Sequence, residues 1–241
     1  MKLKGSIITV VTALLFWTTC SYAGFLDDML KKIPSLSSKQ GLDDSTVISG
    51  LKEALSIGTA NAVKEVSRID GYLGNNAIKI LMPEKLQTVA DVLRKIGFEK
   101  QVDDFILSMN RAAEKAAPRA TDYFVDSVKK MSVDDAKRIL NGGDTAATDY
   151  FKSKTYDKLF SDFKPIISSS MDEVGVTRNY KEMMAKYSSI PFVKAESLDV
   201  DTYVTGKALD GLFYMVAQEE KKIRTDPAAR VTELLKQVFG R

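Results

Sequence analysis

Along almost the whole chain of 241 residues, apolar positions recur every three and four residues, the period of a helix face. Asp44 or Ser45 caps a first long helix to about Arg68, with Val47, Leu51, Ala54, Leu55, Gly58, Ala62 and Val66 on one stripe. The small members Ala54, Gly58 and Ala62 leave room for a neighbouring helix to come close. The run DGYLGNN, with Gly71 and Gly74 bracketing Tyr72 and Leu73, breaks the pattern. A brief apolar piece follows. Pro83 then suits the first turn of a helix to Ile96, and Gly97 suits its end. A third long helix runs from about Lys100 toward Ala117, where Pro118 kinks it or starts another to Met131. Ser132 and Asp135 form a capping arrangement for a short helix to Leu140.

The second half keeps the same period. The stretch NGGDTAATDYFKSKT, residues 141–155, leads into a helix from Thr145 to about Phe163 that bends through Pro165 toward Glu173. Thr177 is the expected cap of the next, which ends near Tyr187 with Pro191 closing it. Asp201 to Arg224 reads as one helix, and Asp226 as cap with Pro227 at the first position starts the last, to Phe239. No segment alternates as a strand does, and no repeat of fixed period appears. The predicted fold is all-α, a compact domain of about eight to ten helices.

The first residues read differently. Lys2 and Lys4 precede a short apolar core from Ser6 to Trp17, and Ser21 and Ala23 are the small residues a signal peptidase reads. Cleavage before Gly24 and export to a periplasm is the expectation. An uncleaved anchor and a lipoprotein attached at Cys20 are the alternatives, the latter fitting poorly with Thr19 and Trp17. Residues 1–23 are then a signal peptide, 24–41 an amphipathic turn (Phe25 to Ile33, stopped by Pro34) with a polar linker, and 42–241 the helical domain. Cleavage removes the only cysteine and two lysines, leaving 33 basic and 32 acidic side chains. So balanced a charge gives no electrostatic case for nucleic acid, and no apolar run after the signal is long enough to span a membrane.

The chain contains no histidine. Triad hydrolases, zinc enzymes and histidine-based acid–base chemistry are therefore excluded or disfavoured. No cofactor is implied. An enzyme would have to use carboxylates, as glycosidases do. Adjacent acids recur at Asp43-Asp44, Asp103-Asp104, Asp134-Asp135, Asp172-Glu173 and Glu219-Glu220, but helix neighbours diverge by about 100° and form no dyad unaided. LDVDTYVTG has two of a calcium loop's oxygens, at Asp199 and Asp201, and lacks its closing glutamate.

Two stretches hold the candidate binding residues. Asn141-Gly142 is read as a helix end with a left-handed glycine, followed by Gly143, Asp144 and Thr145 at a new helix start. Free N–H groups there would bind an anion, but Asp144 in the cap would occupy them itself. In DTYVTGKALDGLFYMVAQEEKKIR, Val204, Ala208, Leu212, Phe213 and Val216 form a broad apolar face, interrupted by Gly206 and Gly211. Two glycines, each costing roughly 1 kcal/mol of helix propensity, indicate close helix contact, a kink or room for a ligand. Lys207, Asp210 and Arg224 complete the candidate set, with Glu220 and Arg224 read as an ion pair on a solvated face.

GLKEALSIGTANAV at Gly50 to Val63, NGGDTAATDYFK at Asn141 to Lys152 and YVTGKALDGLFYMVAQEEKKIRTDPAAR at Tyr203 to Arg230 resemble the family called domain of unknown function 4197. The likeness runs from about Leu42 to the end. It implies an exported helical domain and assigns no activity or catalytic residue. Two functions are in view: binding of an envelope protein or apolar small ligand without chemistry, and carboxylate-dependent cleavage of envelope glycans.

Overall fold

The computed structural model describes residues 44–173, 175–190 and 198–239. The chain divides into a unit Met1–Gly41 and a unit Leu42–Arg241. The signal, the amphipathic turn and Pro191 lie outside the described residues.

Among the described residues the regular structure is helical. The α-helices are α1 (Asp44–Ser67), α2 (Gln87–Lys95), α3 (Glu99–Ala116), α4 (Ala120–Lys130), α5 (Val133–Leu140), α6 (Ala146–Glu173), α7 (Val176–Ser188), α8 (Val200–Thr225) and α9 (Glu233–Phe239). The long helices α6 and α8 pack along each other; α1 covers another side of α8, and α3 and α4 pack on α6. Where α4, α6 and α8 meet, the rings of Phe124 and Phe151 stand edge-on at 5.3 Å, and Phe124 and Phe213 at 5.9 Å. The predicted stripe on α1 is buried at Leu51, Ala54, Leu55, Gly58, Ala62 and Val66, and Val47 is half-buried.

Most boundaries follow local chemistry. Gly97 ends the α2 region at φ +89°, where a side chain would be strained. Ser132 and Asp135 cap α5 reciprocally: Asp135 N donates to Ser132 Oγ, and Ser132 N to Asp135 Oδ2. Pro118 separates α3 from α4 with one 3₁₀ turn. α6 runs unbroken through Pro165, which is exposed, while Phe163, Ile167 and Met171 beside it are buried. Their burial, at ~1.5–3 kcal/mol per large side chain, offsets the ~3 kcal/mol cost of an internal proline.

Three local expectations change. Gly175, at φ +81°, begins α7, and the Thr177 hydroxyl instead donates to Asp172 Oδ1. Asp226 caps only a single 3₁₀ turn, Pro227–Ala229; α9 starts afresh with Thr232 as its cap. Gly142 is not left-handed. It is needed for closeness: a methyl group there would stand 2.5 Å from Ala146 Cβ and 2.9 Å from the Arg138 carbonyl oxygen.

Candidate functional site

The start of α6 is capped from another helix. Glu220 of α8 accepts from Ala147 N through Oε1 and from Thr148 N and Oγ1 through Oε2, each at 2.9 Å. A carboxylate at a helix N-terminus meets both unpaired N–H groups and the positive end of the dipole. Arg224, one turn on, donates to Glu220 Oε1 from Nε at 3.1 Å and from Nη2 at 2.8 Å. Nη2 also reaches the Ile139 carbonyl at 2.9 Å, at the end of α5. Glu220 is buried and Arg224 half-buried, their side chains only 5% and 15% exposed. The solvated-face reading of Glu220 and Arg224 is thus overturned: they bolt the end of α5 and the start of α6 to α8.

Asp144 is exposed and takes no part in the cap. Thr145 supplies the first helical acceptor, its carbonyl receiving Asp149 N at 2.8 Å, while its hydroxyl donates to Asp149 Oδ2. Gly143 is exposed with nothing within 4 Å of a would-be Cβ. The anion position at this helix start is filled by the protein's own glutamate.

A second buried carboxylate does the same for the DGYLGNN turn. Glu114 of α3 accepts from Tyr72 N and Leu73 N at 3.2 and 3.3 Å. Arg111 bridges Glu114 and Asp70, at 2.6 and 2.7 Å, and its guanidinium pKa is raised chiefly by the Glu114 bond. Asp70 holds φ +63°, a conformation few non-glycine residues adopt. The fully buried Tyr72 donates from its hydroxyl to the Ala208 carbonyl on α8 at 2.7 Å; burial, then Glu114, pushes its pKa far up. Its ring lies on Gly211, where a methyl group would stand 2.7 Å from Cε1. Gly211 therefore serves close contact, whereas Gly206 meets nothing within 4 Å.

Beyond the turn, the buried Asn110 stands in for a strand, accepting from Ile80 N at 2.9 Å and donating to Ile80 O at 2.8 Å. This anchors Ile80 within the irregular segment Lys79–Met82, where Leu81 is 58% exposed. Leu81 forms a crest between two grooves. One, of about 680 Å³, runs past Met82, Arg94, Asp103 and Leu107. The other, of about 630 Å³, includes Tyr203, Lys207, Asp210 and Tyr214. Leu107 and Tyr214 are themselves 38% and 43% exposed. Asp103 is paired with Arg94 at 2.7 Å, Asp104 with Lys100 at 2.5 Å, and Asp210 with Lys207 at 3.9 Å.

The candidate residues thus fall in two places. Gly143, Thr145 and Arg224 belong to the α5–α6–α8 joint, with Asp144 exposed beside it. Lys207 and Asp210 line the second groove, roughly 15–20 Å of helix earlier than Glu220. Glu220, Glu114 and Asn110 are anchors that local sequence spacing does not mark, although each is buried on its helix's apolar side. Asp199, the would-be calcium ligand, caps α8 through Thr202 N at 3.0 Å, which holds its pKa low. Among the described residues no group of three or more acidic side chains is placed to hold a metal ion, and no buried side-chain nitrogen or oxygen lacks a hydrogen-bond partner. Among them, too, no helix is long and apolar enough to cross a membrane.

These features define an all-α protein whose buried ionic groups lock helix ends. The chain belongs to the family described as protein of unknown function DUF4197, whose model matches residues 41–240. No curated protein and no solved structure matches it. The three stretches that carry the resemblance meet in space. Gly58 lies against Ile223 and Glu219, Asn61 donates to Glu219 Oε2 at 3.2 Å, and Glu220 caps α6. They converge on a structural joint.

Proposed function

We propose that the protein is exported to the periplasm and works by binding, with the Leu81 crest and its two flanking grooves as the binding face. The observation that carries this reading is that the exposed Leu81 lines both grooves, while two more exposed large apolar side chains, Leu107 and Tyr214, line one each. Apolar side chains scattered singly are ordinary on a protein surface; three of them lining grooves that share Leu81 favour an interaction site. The crest suits a protein partner. A small ligand is usually enclosed over most of its surface, whereas a ridge between two troughs offers two places for a partner's side chains. The ion-paired rims, Arg94 with Asp103 and Lys207 with Asp210, supply the polar border such interfaces carry. The occupant is an apolar segment of another envelope protein.

Glycan cleavage, the second reading, draws less support. Asp103, Asp104 and Asp210 are each held by a cation on the same surface, which suits rims better than acid–base work. Two measurements test the proposal. Fractionation of cells expressing the full chain should place it in the periplasm; retention in the cytoplasm refutes export. A photocrosslinker at Leu107 should give a discrete protein adduct that Leu81→Asp and Tyr214→Asp each remove without changing Tm. An adduct that survives both changes refutes the binding face, and a small apolar molecule co-purifying there instead of a protein refutes the partner class.

A further inference from the structure

We propose that α9 is a latch that swings out as a unit about Val231 while the rest of the domain stays folded. Three observations converge on this. First, α9 belongs to a separate satellite cluster: Leu235 is fully buried against Ala54 of α1 and Ile223 of α8, with Ile57 alongside, apart from the main core. Second, the chain before the hinge is pinned. Arg230 donates from Nε to the Ile223 carbonyl at 3.0 Å and from Nη2 to the Arg224 carbonyl at 2.8 Å, tying the end of the 3₁₀ turn to the end of α8. Third, the chain after the hinge carries its own cap, Thr232, whose Oγ1 accepts from Leu235 N and whose carbonyl accepts from Lys236 N. Val231 lies between the pin and the cap and is 67% exposed. A helix as short as Glu233–Phe239 is marginal unless docked, so its fate is set by that small cluster.

The seat is shaped for this occupant. A methyl group on Gly50 would stand 2.6 Å from Val238 Cγ2 and 3.1 Å from Leu234 Cγ. Release of α9 would uncover Gly50 and Ala54 while leaving the Glu220–Arg224 joint intact, because the Arg230 pin lies between them.

Hydrogen exchange on the full chain tests it. The α9 amides from Lys236 to Phe239 should exchange at least about a hundredfold faster than those of Leu209 to Val216 in α8, as sub-global opening requires. A disulfide between Gly50→Cys and Val238→Cys, in a chain also carrying Cys20→Ser, should slow α9 exchange at least about tenfold and leave α8 unchanged. Equal protection of α9 and α8 in the parent chain overturns the proposal. So does α9 exchange that is unaffected by the closed disulfide, or failure of the oxidised pair to form.

Discussion

Replacing Glu220 by alanine removes more than one contact. Its two oxygens accept five hydrogen bonds, from Ala147 N, Thr148 N, Thr148 Oγ1, and Nε and Nη2 of Arg224. Loss of the side chain leaves two helix-start donors unpaired and a guanidinium only 15% exposed without its counter-charge. Breaking such a pair from one side costs about 3–5 kcal/mol, which for a domain of this size lowers Tm by roughly 6–20 °C. Glutamine separates geometry from charge. With one oxygen it can serve Ala147 and Arg224, while its amide turns toward Thr148, whose hydroxyl can rotate to accept but whose N–H cannot. The expected cost of Glu220→Gln is therefore about 2–4 kcal/mol, one unpaired donor plus the lost charge. Urea unfolding of the parent, Glu220→Gln, Glu220→Ala and Arg224→Met, with Glu233→Gln as an exposed ion-pair control, reads these values directly. If Glu220→Gln lies within about 0.5 kcal/mol of the parent, as a surface pair would, the buried joint is refuted.

Two further predictions concern the same helices. Gly211→Ala should destabilise by about 1–3 kcal/mol through overpacking against Tyr72. Gly206→Ala, with open space around it, should stabilise by up to about 1 kcal/mol; thermal melts that move in the same direction contradict the assignment of the two glycines. Asp135 has its pKa held below the usual range, first by the Ser132 hydroxyl and also by Arg138. A depressed folded pKa adds stability above the unfolded value near 3.9 and loses it as pH falls through the lower folded value. The stability gap between the parent and Asp135→Ala should therefore be full at pH 6 and shrink below about pH 4. A gap that stays constant to pH 2 contradicts the capping carboxylate.

Helix stripes, proline starts and the Ser132–Asp135 cap were legible because their causes lie within one or two turns of sequence. The Glu220 cap was not, since its donors at 147 and 148 are far away in the chain. Spacing of four makes Glu220 and Arg224 look like any surface pair. Phase was the missed signal: Leu212, Val216, Glu220 and Ile223 share one stripe, and Glu220 is buried with the others. Asn110 and Glu114 hold the equivalent place on α3, beside the buried Met109 and Ala113. A polar residue in an apolar phase calls for a partner, and the sequence does not say which distant backbone provides it. Gly142 shows a similar limit, since a glycine after a helix reads as a left-handed cap whether its φ or its closeness to Ala146 is what matters. Nor was the Leu81 crest visible as a site, because its exposure depends on Asn110 holding the backbone from another helix.

The start of α6 is a structural joint, and the proposed binding face lies at Leu81. Photocrosslinking from each position, in the cells that produce the protein, compares them in one experiment. A probe at Leu81 should capture a discrete partner, and a probe at the exposed Thr145 should capture none. Capture at Thr145 with none at Leu81 would contradict both assignments.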